Sequence, residues 1–77
     1  MPHVIVKLYP GRSEEQKIRL APAIVKDIVA TGKSDEQSVS VATEDIEPEN
    51  WAEHVYEAEI LNNPEKLYKK PGHNPLE

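Results

Sequence analysis

The sequence of 77 residues has no cysteine, no phenylalanine, one tryptophan and an apolar content of only 38%. The missing cysteines exclude disulfides, thiolate zinc sites and cysteine nucleophiles. The three histidines are too scattered to form a ligand pair on one helical face. A chain of this length buries only about 60% of its unfolded surface, so a monomer would be marginally stable. Self-association is the remaining means of stabilisation, and we expect an oligomer.

Basic residues are also few, because nine Lys and Arg stand against 14 Asp and Glu and give a net charge of −5. This balance argues against a nucleic-acid partner, since phosphate binding needs clustered Lys and Arg. No apolar run approaches the roughly 18 residues of a membrane helix, and no basic-then-apolar leader opens the sequence. We therefore expect a soluble, cytoplasmic protein without a membrane partner.

Hydrophobic periodicity predicts a strand, a helix and a second strand, followed by a helical tail. A β-branched run predicts a strand over about residues 3–9, and alternation returns over about 38–44. Between them, a capping box at Ser13 begins a helix over about 13–31. The tail, over about 49–70, shows a weaker helical pattern, which Asn62-Asn63-Pro64 interrupts before a short final helix from Pro64 through Lys70. Because a strand–helix–strand connection is right-handed, the two strands should be parallel.

The predicted helix contains one irregularity, a proline in its interior. Pro22 removes the hydrogen bond to the Ile18 carbonyl and should kink the helix, although the apolar pattern resumes beyond it. Gly32 is well placed to end the helix. Residues 1–77 are therefore expected to form one α/β (α+β) domain with a two-stranded sheet. One helix leaves the other sheet face bare, so protomers should associate through their sheet faces.

Several motifs occur together along this sequence. Pro2 follows the initiator Met, GRSEEQK occupies residues 11–17, and SVSV occupies 38–41. IEPENW follows at 46–51 and KKPG at 69–72. The combination resembles the 4-oxalocrotonate tautomerase family over essentially the whole chain, and its later part is similar to the PptA-type branch, the phenylpyruvate tautomerases. The resemblance implies a tautomerase-like βαβ fold with a C-terminal helical extension, and a cofactor-free enzyme that interconverts 2-oxo acids and their enols.

The resemblance assigns Pro2 the role of proton carrier. A 1,3-proton shift between enol and ketone needs a neutral base near the carbon and oxygen that exchange the proton. If Met1 is removed, Pro2 exposes a secondary amine, and an α-amine has a pKa of about 7.7–8.0 that an apolar site or a nearby cation lowers. With Met1 attached, the nitrogen is an amide without a usable lone pair. The alternative is an inert proline after the initiator.

The resemblance also suggests three residues that contact the substrate. Arg12 matches the arginine that binds the substrate carboxylate, the alternative being a solvated side chain paired with Glu15. Trp51 matches an aromatic wall beside the proline, although core or interface packing is nearly as plausible. Ser40 replaces a second arginine of 4-oxalocrotonate tautomerase, which favours phenylpyruvate-like monocarboxylates because a hydroxyl cannot neutralise an anion. Ser40 is otherwise a small strand residue.

Other polar residues carry weaker signals. The sequence does not decide whether Lys69, Lys70 or His73 enters the site, and a Lys-Lys pair near a terminus is usually solvated. His3 is given no role, because strand alternation directs it away from Pro2. The acidic residues of 44–59 are typical of a solvated face, without a metal or acid–base pair.

Two other functions fit the sequence. One is a hydratase-type reaction on the same scaffold, with a protonated proline as the acid. The other is a non-catalytic oligomeric interaction module, which retention of Met1 would favour. The expected partners are a small 2-oxo acid or enol and a second copy of the chain. In the PptA-type branch that the sequence resembles, a tail of this length after Trp51 goes with dimers, so the resemblance implies a homodimer, and a hexamer stays open.

Overall fold

Two parallel strands joined through a long helix form the first part of the chain in the computed structural model, which describes residues 1–72. The elements in order are β1 (His3–Leu8), α1 (Glu14–Gly32), a 3₁₀ turn (Glu36–Ser38) and β2 (Ser40–Asp45). The register runs from His3 beside Ser40 to Leu8 beside Asp45. The predicted fold class, a βαβ unit with a two-stranded parallel sheet, is confirmed.

Both strands differ from their predicted bounds. β1 ends at Leu8, and β2 begins at Ser40, two residues later than the alternating pattern predicts. The Asp35 carboxylate accepts a hydrogen bond from the Gln37 N–H (3.3 Å), and the Ser38 hydroxyl donates to the Asp35 carbonyl (2.7 Å). These local bonds stabilise the 3₁₀ turn in place of the first strand residues.

The start of α1 agrees with its sequence signal. Ser13 is the N-cap: its Oγ accepts from the Gln16 N–H (3.1 Å), and its own N–H donates to Gln16 Oε1 (2.8 Å). Glu14 and Glu15 occupy the first turn, where the helix dipole favours negative charge. The capping box predicted from the sequence is present.

α1 runs through its interior proline as predicted, but its end differs in detail from expectation. The helix continues through Pro22 as one element and includes Gly32 as its last residue. Lys33, and not the glycine, takes the left-handed conformation that ends the helix, with φ of 55°. The helix therefore ends one residue later than predicted, and the non-glycine C-cap tolerates the backbone conformation that glycine usually provides.

The apolar face of α1 is only half covered. Six apolar helix residues are half-buried: Leu20, Ala21, Ile24, Val25, Ile28 and Val29. Ile18, which the sequence pattern places on the same face, is 67% exposed and lies at the margin of this stripe. Ile18, Pro22 and Val25 of the helix and Val41 of β2 line an open groove of about 690 Å³.

An ion pair joins α1 to β2. Lys17 Nζ lies 3.2 Å from Asp45 Oδ2, and the two side chains are 20% and 40% exposed. The pair links the first turns of α1 to the last residue of β2. A partly exposed pair of this kind contributes less than about 1 kcal/mol, so it orients the helix more than it stabilises the unit.

The residues from Ile46 onward form a second compact unit. α2 (Pro48–Trp51) begins with Pro48, whose fixed φ suits the first helical position. A π-helix (Ala52–Leu61) follows directly, and a 3₁₀ turn (Pro64–Lys66) comes after it. The single domain expected over residues 1–77 stays a prediction.

The helical pattern expected over residues 49–70 is interrupted after Leu61, as Asn62-Asn63-Pro64 predicts, and a 3₁₀ turn over Pro64–Lys66 follows in place of a helix through Lys70. The Asn62 N–H donates to the Glu57 carbonyl (3.2 Å), and the Asn63 side chain donates to the Ala58 carbonyl (2.9 Å). These bonds satisfy two carbonyls near the end of the π-helix, whose last residue is Leu61. Within residues 1–72, no helix is both long enough and apolar enough to cross a lipid bilayer.

Little of the described chain is fully buried. Val55 and Tyr56 of the π-helix, at 5% and 8% exposure, are the only buried residues within positions 1–72. By contrast, Ile5 on the sheet is 51% exposed and Leu61 is 52% exposed. The apolar surface that remains supports the expectation of self-association.

The Ser13 cap makes a testable contribution to stability. Ser13→Ala removes the acceptor of the Gln16 N–H and should lower the free energy of unfolding by about 0.5–2 kcal/mol. Ser13→Asp keeps an acceptor at the same place and should stay close to wild type. Chemical denaturation at one fixed protein concentration measures both variants. Equal stability of the Ala and Asp variants would contradict a role for the cap.

Candidate active site

Pro2 directly precedes β1. It lies at the end of the two-stranded sheet where both strands begin, which is called the amino edge below. Its carbonyl accepts a hydrogen bond from the Ser40 N–H (3.1 Å), which extends the strand pairing to Pro2. Pro2 is half-buried, whereas Met1 is fully exposed. The residue that would carry the amine is therefore held at one fixed place, because chain termini are usually mobile unless they are tied into a sheet.

Ser40 is brought next to Pro2, together with a residue that the sequence analysis set aside. His3 and Ser40 are register partners, and His3 Nδ1 lies 2.6 Å from Ser40 Oγ. Both side chains are exposed in the chain. Strand alternation directs the His3 side chain away from Pro2 but does not tell which residue of β2 lies beside it. The register of the two strands places His3 beside Ser40. The sequence signal for this contact is that the two residues are the first of two parallel strands.

Arg12 lies at the other edge of the sheet. Its guanidinium donates one hydrogen bond to the carbonyl of Tyr9 (3.1 Å), the residue that follows β1. Glu15, the alternative partner considered for Arg12, forms an ion pair with Arg19 at 2.8 Å. Arg12 is exposed, and a guanidinium has five N–H groups. The side chain is thus oriented by the backbone and has further donors for a carboxylate.

The length of β1 separates Pro2 from Arg12 within one protomer. A strand rises about 3.3 Å per residue, so the path from Pro2 to Leu8 spans about 20 Å. The Arg12 guanidinium contacts Tyr9, which lies beyond that end of the strand. One small acid cannot contact Pro2 and Arg12 of the same protomer.

The second unit carries the remaining candidates. Trp51 is the last residue of α2 and is half-buried. Lys69 Nζ donates to the Lys70 carbonyl (3.3 Å), and Lys70 borders a cleft of about 230 Å³ beside Tyr56. His73 lies outside the described residues, as do Leu76 and Glu77. The roles expected for Trp51 and the two lysines stay predictions.

The placement of His, Asp and Glu side chains bears on whether a metal ion could bind. Among residues 1–72, no group of three or more His, Asp or Glu side chains is arranged to hold a metal ion. The polar side chains at the amino edge are the Ser40 hydroxyl and the His3 imidazole. Hydrogen bonding and proton transfer are the chemistry that these groups offer.

Comparisons with known proteins agree with the motifs in the sequence. A model of the family described as tautomerase enzyme matches residues 2–55. A probable tautomerase of Xylella fastidiosa (strain 9a5c) is 38% identical over 76 residues, which cover 99% of this chain and 93% of that protein. Tautomerase PptA of Escherichia coli O139:H28 (strain E24377A / ETEC) is 39% identical over 75 residues, 96% of this chain and 99% of its own.

The same protein name occurs in a second Escherichia coli strain. Tautomerase PptA of strain K12 / DH10B is 39% identical over 75 residues, which cover 96% of each chain. The resemblance inferred from the sequence is therefore confirmed over nearly the full length. The chain belongs to the tautomerase family, the 4-oxalocrotonate tautomerase family of its sequence motifs, and is an isomerase.

Proposed function

We propose that this tautomerase is cofactor-free and uses Pro2, freed by removal of Met1, as the group that moves the proton. The observation that carries the proposal is the bond from the Ser40 N–H to the Pro2 carbonyl at 3.1 Å. It ties the terminal residue to the start of β2 and limits the motion of its nitrogen. A base held in place avoids the entropy cost of ordering a free terminus in the transition state.

The proton transfer needs no further reactant. The neutral amine accepts the proton of the 2-hydroxyl group of the enol, the electron pair of that O–H bond forms the C2=O bond of the ketone, and the π electron pair of C2=C3 moves onto C3. The ammonium group then delivers a proton to C3, which restores the neutral amine. The protons and electrons balance, and one residue serves as base and then as acid.

The proposed substrates are 2-oxo monocarboxylic acids and their enols, with phenylpyruvate-like compounds favoured. The residues at the amino edge beside Pro2 include one hydroxyl, that of Ser40, which donates a hydrogen bond but cannot neutralise a second carboxylate. The first carboxylate is assigned to Arg12, whose guanidinium makes charge-assisted bonds with planar anions. Trp51 is proposed as the apolar wall of the pocket and would favour an aromatic tail.

We propose that two protomers build one site, because Pro2 and Arg12 lie near opposite ends of β1. A substrate that contacts Pro2 of one protomer takes its carboxylate anchor from Arg12 of another, since about 20 Å of strand separates the two within a chain. The exposed Ile5 and Ile18 supply apolar surface for such an association. We propose a symmetric homodimer. The cytoplasmic location and the absence of nucleic-acid partners stay predictions from composition.

The first prediction on function concerns the state of the N-terminus. Protein that begins with Pro2 should ketonise phenylpyruvate enol, whereas protein that retains Met1 or carries an N-terminal tag should lose nearly all activity. Pro2→Ala with Met1 removed keeps a primary amine and should retain weak activity. The rate should rise with pH as the ammonium loses its proton, because the neutral amine is the base.

Intact-mass measurement establishes which protein preparation begins with Pro2, and ultraviolet absorbance follows the loss of the enol. The matched comparison is the same chain before and after removal of the tag. Equal turnover by the tagged and the processed protein would show that Pro2 is not the base.

The second prediction is that Arg12 acts across protomers. Arg12→Ala should lower kcat/KM by roughly one to two orders of magnitude, because a charge-assisted bond to a carboxylate is worth about 1.5–3 kcal/mol. Arg19→Ala is the matched control, since Arg19 pairs with Glu15 on the exposed face of α1, and it should keep wild-type kinetics.

Mixed dimers separate the two possible arrangements of the site. Protomers that carry Arg12→Ala are refolded together with protomers that retain Met1, which blocks Pro2. If the site combines residues of two chains, each mixed dimer contains one intact site and activity returns. Absence of recovery in verified mixed dimers would mean that Pro2 and Arg12 do not act across the interface.

The third prediction is the oligomeric state itself. Light scattering at micromolar concentration should give the mass of a homodimer, because the half-covered sheet and helix faces need a partner. A monomer under these conditions would contradict both the dimer and the shared site. A hexamer would contradict the dimer alone and leave a site shared between protomers intact.

A further inference from the structure

We propose that His3 is a positioning residue, which holds the Ser40 hydroxyl so that it donates a hydrogen bond to the 2-oxygen of the substrate. The inference rests on the proposed function of Pro2. Two observations meet at Ser40: its backbone N–H is bonded to the Pro2 carbonyl at 3.1 Å, and its Oγ lies 2.6 Å from His3 Nδ1. Two successive residues of the first strand region thus hold one residue of β2.

The contact with His3 restricts the direction in which Ser40 donates. A serine hydroxyl has one proton and can rotate to donate to any nearby acceptor. If His3 carries its proton on Nδ1, the ring donates to Oγ and the hydroxyl proton points elsewhere. If Nδ1 is unprotonated, the hydroxyl donates to the ring and offers only lone pairs. A substrate oxygen that accepts from Ser40 therefore selects the Nδ1–H form of His3.

The substrate oxygen that accepts from Ser40 is assigned through the proposed function. The Ser40 backbone N–H is bonded to the residue that carries the proposed base, and the proposed function gives the Ser40 hydroxyl to the substrate. The carboxylate is assigned to Arg12 of another protomer, which leaves the 2-oxygen for Ser40. That oxygen gains negative charge as the enol proton leaves, and a donor already oriented toward it stabilises the charge. The chain from Nδ1–H through Oγ–H polarises both bonds in the same direction.

The expected kinetic signature is a change in kcat with little change in KM. A bond that strengthens only as charge develops contributes to the transition state and little to binding of the ground state. Ser40→Ala should lower kcat roughly tenfold, the scale of one lost hydrogen-bond donor. His3→Ala should lower kcat by a smaller factor in the same direction, because the hydroxyl remains but is no longer oriented.

The decisive experiment is a double-mutant cycle in protein processed to begin with Pro2. His3→Ala combined with Ser40→Ala should be no slower than Ser40→Ala alone, because His3 acts through Ser40. His3→Asn, which places an amide nitrogen close to the position of Nδ1, should restore most of kcat. Arg19→Ala, on the exposed face of α1, is the control and should keep wild-type kinetics, with light scattering as a check of assembly for every variant.

The same cycle contains the outcomes that overturn the inference. Wild-type kinetics of His3→Ala, additive losses in the double variant, or a loss in His3→Asn equal to that in His3→Ala would each reject the positioning role. Failure of the proposed function is distinguishable, because full activity of protein that retains Met1 would reject Pro2 as the base whatever His3 does.

A spectroscopic test does not depend on the variants. Phenylglyoxylate is a 2-oxo acid that has no hydrogen on C3 and cannot form an enol, so it occupies the site without reacting. Nitrogen-15 NMR of the His3 ring should show the Nδ1–H form in its saturated complex. Retention of the Nε2–H form in that complex would overturn the inference.

Discussion

The parallel pairing of β1 with β2 determines where every candidate residue of the first unit lies. Parallel strands require a crossover connection, which α1 supplies, and they align their starts at one edge and their ends at the other. Pro2 and Ser40 meet because each stands at the start of a strand. Arg12 lies at the far edge because it follows the end of β1. In an antiparallel hairpin, the end of β1 would instead lie beside the start of β2.

This arrangement links stability to the proposed chemistry. Two strands and one helix cannot cover both faces of the sheet, and within residues 1–72 only Val55 and Tyr56 are buried. A second copy that covers this surface would also bring Arg12 to the amino edge of its neighbour. Under the proposed function, the protomer therefore lacks a complete core and a complete site for the same geometric reason.

The sequence predicts what is local and misses what depends on register. The Ser13 capping box and the alternation of β1 involve neighbours within one turn or one strand, so the pattern identifies both. The late start of β2 depends on the cap that Asp35 provides. The π-helix of Ala52–Leu61 has no distinct periodicity from which the sequence could predict it. The contact of His3 with Ser40 joins residues 37 positions apart, and alternation alone assigns faces without assigning partners.

Under the proposed function, the position of Pro2 gives a physical account of how the first residue of a processed chain could be held in place as a base. Termini are usually mobile, but β1 begins at the next residue, and the Pro2 carbonyl is bonded to Ser40. The pyrrolidine ring removes a further rotation, so the nitrogen has little freedom left once Met1 is gone. Under the proposed function, the same features make the site intolerant of any residue before Pro2, because an added residue converts the amine to an amide while the strand stays unchanged. Removal of the exposed Met1 would then supply the proposed base while β1 keeps its pairing with β2.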